Sequence, residues 1–229
     1  MLSIAAKSLK LNAEAAPVLL VVLRYIRKYT ATHKTLCSGA AAMKQAQVLN
    51  ERDVKRVLAA IAKRSYSSRD RAMFMLSYLA GMRVGEISAL RVSDVFEADG
   101  RVKEQIRLSS MQTKGSEART VLLNAQVQEE MRVYARTLTR KTDAPLFVSK
   151  WGKQMGANSL VQVFGRFYKL AGLSNASSHS GRRSFLTGLA HKGVNVRVLA
   201  ALAGHKNIST TQRYIEVGEH QLRAAVELI

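Results

Sequence analysis

Val54, Val57, Leu58 and Ile61 fall at i, i+3, i+4 and i+7, which places one apolar face on a helix. Its start is marked by Asn50 before Glu51, Arg52 and Asp53, an N-cap side chain with acids in the first turn. A second helical stretch runs over about 69–80 and stops at Gly81, and a short one follows over 84–90. The period then changes. Residues 102–108 and 118–123 are β-compatible runs, and Thr113-Lys114-Gly115-Ser116 supplies turn chemistry between them, so the pattern predicts a small antiparallel hairpin. Helical patterns return at about 126–139, 158–171, 182–192, 195–203, 207–214 and 219–228. One more helix, roughly 14–29, is expected in the Ala-, Lys- and Leu-rich first 46 residues, which carry no motif. The expected architecture is α+β and mostly α: an N-terminal helical extension of unknown role over 1–46, then one domain over 47–229 with a small antiparallel sheet.

Composition agrees with a folded domain. Of 229 residues 47% are apolar, enough for a real core, and the 2 prolines leave no proline-rich linker. Charge changes the picture further. Lys and Arg number 36 against 16 acids, a formal net charge of +20. Such an excess favours a polyanionic partner, through steering and the release of phosphate counterions. The single cysteine, Cys37, excludes an internal disulfide and a multi-cysteine metal site. The early apolar run 17–23 is far too short to span a membrane, and Arg24, Arg27 and Lys28 follow it at once. A cytoplasmic protein with no membrane partner is expected.

Four polar clusters strain a purely structural reading. In Gly81-Met82-Arg83-Val84-Gly85-Glu86, Arg83 and Glu86 share a helix face; the pair is either a surface ion pair or an arginine aimed at phosphate and held by Glu86. Lys114 sits at the tip of the expected hairpin, either solvated or reaching a DNA backbone. His179-Ser180-Gly181-Arg182-Arg183 lies at the start of a helix, an end that favours anions. Gly204-His205-Lys206 is followed by Thr210-Thr211-Gln212-Arg213-Tyr214. A lone tyrosine is usually a packing residue; the ordered set of clusters is what changes that reading.

The ordered set Arg83, Lys114, His179-x-x-Arg182, Gly204-His205 and Thr210-Thr211-x-x-Tyr214 resembles the tyrosine recombinases of the phage-integrase family, over about residues 47–229. Gly81-x-Arg83-x-x-Glu86 is similar to the family's first arginine box, His179-x-x-Arg182 to its second, and Leu202-Ala-Gly204-His205 to its Leu-Gly-His box. Arg183 stands where many members have histidine, and Ala203 where glycine is commoner. The 46 preceding residues are too few for a full core-binding domain, so a catalytic-domain-only member is expected.

What the resemblance implies is transesterification at a DNA phosphodiester without cofactor or metal. Tyr214 would attack phosphorus, Arg83 and Arg182 would neutralise the non-bridging oxygens, and His205 would donate a further hydrogen bond. His179 would accept the tyrosine proton, Lys114 would protonate the leaving 5′-oxygen, and Glu86 would orient the arginines. Lys63, Arg64, Arg69, Arg71, Arg166, Lys169 and Arg183 are the candidates for tracking phosphates. Leu222, Ala225, Val226 and Ile229 recur at helical spacing; the resemblance implies a C-terminal helix that docks on a neighbouring protomer and links a homotetramer on double-stranded DNA. A partner recombinase or an accessory protein would supply any missing grip. Three rivals stay open at this stage: a type IB topoisomerase-like strand relaxer, which generally lacks the histidine found at His179; a catalytically inactive integrase remnant that only binds DNA; and a basic structural protein.

Overall fold

Helix α1, Glu51–Ala62, begins at the anticipated cap: the Asn50 side chain accepts from Asp53 N at 2.9 Å, and the Asp53 carboxylate accepts from Asn50 N at 3.3 Å. Its buried face is Val54, Val57 and Ile61. The computed structural model describes residues 45–113, 117–138, 143–214 and 226–227. The expected helices over 14–29 and 219–228 and the turn carrying Lys114 lie outside the described residues, apart from Val226 and Glu227.

Helix α2, Ser67–Leu79, is the centre of the unit that begins at Ala46. It is buried almost all round, and α1, α3, α5 and α7 pack on it. After it come α3, Val84–Ser88, and α4, Val92–Val95. The second was not anticipated: four residues are too few to show a period, and the turn is fixed by Asp94, whose carboxylate accepts from Arg91 N at 2.8 Å. Strands β1, Gln105–Leu108, and β2, Arg119–Leu122, pair antiparallel with Ile106 opposite Val121 and Leu108 opposite Arg119. Ile106, Leu108 and Val121 face the core, joined by Met82, Ile87 and Leu90 from the α3 region. The small antiparallel sheet on a mostly helical body is the architecture the pattern predicts.

The rest is helical: α5, Ala125–Ala135; α6, Ala157–Leu170; α7, Ser180–His191; α8, Val196–Ala203; and α9, Ile208–Gln212. Helix α7 lies very close to α2. A Cβ on Gly181 would sit 2.7 Å from Ser77 Oγ and 3.3 Å from the Ser77 backbone carbon, so a glycine is what lets the two helices touch. Helix α8 packs on β2 and on α7, and α9 folds back against α8. Among the described residues no helix is long and apolar enough to cross a membrane.

Candidate active site

Arg83 is the N-cap of α3, between Met82 and Val84, both buried in the core. Glu86, at the third position of the same turn, is 1% exposed. Its carboxylate accepts from Arg83 N at 2.7 Å and from Arg83 Nη1 at 2.9 Å, which bends the arginine back over its own helix. A second guanidinium meets it from β2: Arg119 Nε and Nη2 lie 3.1 and 2.6 Å from its two oxygens. Burial pushes the Glu86 carboxyl up, but the hydrogen bonds and charge of Arg119, with those of Arg83, outweigh it and hold the group below its ordinary value.

Arg182, in the first turn of α7, is 5% exposed. Its Nη1 donates to Gly81 O, and its Nη2 to Ala203 O at 2.6 Å and to His205 Nε2 at 3.1 Å. These partners are all neutral. Burial, followed by the charges of Arg83 and Arg119, pulls Arg182 down to about 9, which still leaves it charged at neutral pH.

His205 follows the C-terminus of α8, where Gly204 turns the chain with φ of 60°. A guanidinium can only donate, so Nε2 of His205 is the acceptor and the ring proton sits on Nδ1, which faces Thr211 Oγ1 at 2.8 Å. Burial, then the charges of Arg182, Arg83 and Arg119, lowers His205 to about 4. The outer nitrogen of His205 is thus taken up as the acceptor for Arg182. Tyr214 closes the turn after α9, its N donating to Thr211 O at 2.9 Å, and its half-buried ring lies against His205 with centroids 6.0 Å apart.

The fold thus gathers Arg83, Glu86, Arg182, His205 and Tyr214 from α3, α7 and the α8–α9 region. A cleft of about 360 Å³ opens on two of them, Arg83 and His205, and is lined also by Thr113, Glu117, Arg119 and Lys206. Lys114 lies outside the described residues, but its flanks belong here: Thr113 lines the cleft and its Oγ1 donates to Glu117 O at 2.7 Å. His179 is exposed at the N-cap of α7, one turn before Arg182. A larger open hollow of about 1110 Å³ lies beside β1; Asp94, Glu97, Asp99 and Glu104 oppose Arg101, Lys103, Arg107 and Arg132 there, so its formal charges balance. Among the described residues no group of three or more His, Cys, Asp or Glu side chains is placed to hold a metal ion.

The phosphate-tracking set divides. Lys63, Arg166 and Lys169 are exposed. Arg69 is buried, 8% exposed, with Nε and Nη2 on Asp70 and Nη1 on Val148 O. Arg64 also pairs with Asp70, Arg71 with Glu130, and Arg183 donates to Ala46 O, so these three are engaged within the domain. Arg119 is a member of the site that motif reading passes over, and Thr211, quoted in the Thr210-Thr211-x-x-Tyr214 motif without a role, joins it through His205 Nδ1. A signal for Arg119 existed: it lies two residues before Val121, so on a strand's period it shares the buried face.

The model of the phage integrase family matches residues 47–221, and the chain belongs to that family. The tyrosine recombinase XerA of Pyrococcus horikoshii is 31% identical over 184 residues, covering 78% of this chain and 60% of that protein. The chain spans a little over half the length of the curated relatives it matches. Among solved structures, a XerA recombinase superposes with a TM-score of 0.65 at 24% identity, over 80% of this chain and 65% of the other. A XerH site-specific recombinase bound to a palindromic DNA substrate, in a post-cleavage complex, superposes with a TM-score of 0.60 at 24% identity, over 78% and 51%. The fold is that of this group of recombinases.

Proposed function

We propose that the chain is a site-specific DNA recombinase whose catalytic domain is residues 47–229, and that it cuts and rejoins strands through a 3′-phosphotyrosine at Tyr214. The observation that carries this is Arg182. A buried guanidinium whose acceptors are two carbonyls and an imidazole is costly unless an anion comes to it. Two arginines, Arg83 and Arg119, share the Glu86 carboxylate and Arg182 pairs with none, so the site carries excess positive charge that a phosphodiester would balance.

The Tyr214 oxygen attacks phosphorus, forming the P–O(tyrosine) bond as the P–O5′ bond breaks. His179 takes the phenol proton, and Lys114 gives one to the departing 5′-oxygen. A 5′-hydroxyl of another strand then reverses the step and releases Tyr214. The linkage energy is kept in the covalent intermediate. Arg83 and Arg182 stabilise the charge gathering on the non-bridging oxygens, donors of a kind worth about 3 kcal/mol each; general acid and base assistance adds about 100- to 10,000-fold. A bound phosphate offers Arg182 an anionic acceptor and places negative charge beside His205. That raises the imidazole from its depressed value and lets Nε2 become a donor. Double-stranded DNA is the partner. Four copies on DNA, joined through residues 219–229, and a cytoplasmic setting complete the reading.

The test is a nicked duplex from the DNA flanking the protein's own gene, which traps the intermediate when the short 5′ strand diffuses away. A protein–DNA adduct on a denaturing gel is expected from the native chain and none from Tyr214→Phe. DNA binding by both without an adduct from either would favour the inactive remnant.

A further inference from the structure

The Glu86 carboxylate is fully used. One oxygen accepts from Arg83 N and Arg119 Nη2, the other from Arg83 Nη1 and Arg119 Nε. Four donors fill the four acceptor positions a carboxylate has. Arg83 keeps a 28% exposed side chain, so its position depends on this anchor, whereas the side chain of Arg119 is 8% exposed. The remaining terminal nitrogen of Arg119, Nη1, donates at 2.8 Å to Leu202 O, in the last turn of α8. Two residues on, Gly204 makes room for the same side chain: a Cβ there would stand 2.6 Å from Arg119 Cδ. Just past His205, Lys206 pairs with Glu117 at 2.7 Å, a second and solvated tie between the same two segments.

We propose that Arg119 is a positioning residue for strand transfer: it fixes Glu86, and through Glu86 Arg83, while holding the Leu202–His205 turn to the same carboxylate. This rests on reading the site as a phosphodiester-transfer centre. One side chain from β2 thereby joins the first arginine box, the hairpin that carries Lys114 and the turn that carries His205. Arg119 spends its three nitrogens on protein acceptors and acts through its neighbours. Lysine is no substitute, because a single ammonium cannot fork onto a carboxylate and reach a carbonyl on its other side.

The test compares the native chain with Arg119→Lys, Arg119→Gln, Glu86→Gln and the double variant Arg119→Gln/Glu86→Gln, on the same nicked duplexes. DNA affinity, adduct rate at saturating DNA and Tm are read for each. Affinity should stay within about threefold, while the adduct rate falls roughly 100-fold in both Arg119 variants, the scale of a displaced catalytic group. The losses of Arg119→Gln and Glu86→Gln should not multiply in the double variant, because both changes act through one carboxylate. Arg119→Gln should also lose rate more steeply on acidification than the native chain, since Glu86 without its main partner titrates higher. Native-like adduct rates in Arg119→Lys or Arg119→Gln, with only Tm lowered, would reduce Arg119 to a structural strut. Losses that multiply in the double variant would separate it from Glu86 and overturn the proposal. No adduct from the native chain would overturn the reading of the site itself, and this inference with it.

Discussion

Arg182 gives up water for two carbonyls and a neutral imidazole, and that arrangement sets the electrostatics around it. Its charge, after burial, is the next contributor to the low value of His205, about 4. In the DNA-free protein, NMR of the His205 ring should therefore show titration near 4, moving up toward its ordinary value when duplex DNA binds; a ring already titrating above 6 without DNA would contradict the geometry. The same depression has a stability consequence. The unfolded chain takes up the His205 proton near its ordinary pKa of about 6.5 and the folded chain near 4, so acidification through that window favours unfolding. Tm should fall between pH 6.5 and 4, and less steeply in His205→Gln. At this scale the sequence was readable where residues act as an ordered set: Arg83, Arg182, His205 and Tyr214 stand in motif order and the fold brings them together. It was unreadable where burial decides. Arg69 is indistinguishable from a solvated arginine in a chain of 36 basic residues, and Arg119 is marked out only by sharing a strand face with Val121, yet both are engaged by carboxylates in the interior.

Helix α7 brings Arg182 to the site by lying against α2, and Gly181 sets how close it lies. Gly181→Ala places a methyl against Ser77, with the Ser77 Cβ at 3.1 Å and its backbone carbon at 3.3 Å. Overpacking of this kind costs about 1–3 kcal/mol, and near 2–4 °C of Tm accompanies each kcal/mol in a chain of this size. Thermal unfolding should show a drop of several degrees, together with slower adduct formation as Arg182 moves; an unchanged Tm would mean that the helices part without cost. The elements themselves were largely legible. The Asn50 cap and the apolar face of α1, the alternation in β1 and β2, and the helical runs of α5 to α9 follow from local chemistry. Helix α4 was hidden because a single turn capped by Asp94 has no period, and α9 stops at Gln212, short of the anticipated end, because the chain tightens into the turn that presents Tyr214.

Across the whole molecule the charge of +20 sets a strong dependence on salt. The log of DNA affinity should fall by about 0.9 per phosphate contact for each log unit of salt. Lys63→Gln, Arg166→Gln and Lys169→Gln should each lower that slope by about one contact in fluorescence-anisotropy titrations and leave Tm unchanged. Arg69→Gln should instead lower Tm, because it strips Asp70 of a buried partner; a slope change with an unchanged Tm for Arg69→Gln would put that side chain on the DNA after all. Net charge announces a polyanion without saying which cations face it, and only the packed structure separates the exposed ones from those spent inside. In the proposed reaction one oxygen, on Tyr214, becomes joined to DNA. The most direct measurement is to trap the adduct on a nicked duplex, digest protein and DNA, and locate the nucleotide by mass spectrometry. A 3′-phosphonucleotide on Tyr214, within the tryptic peptide 214–223, is the predicted result; a nucleotide on any other residue, or none on a chain that binds DNA, would contradict it.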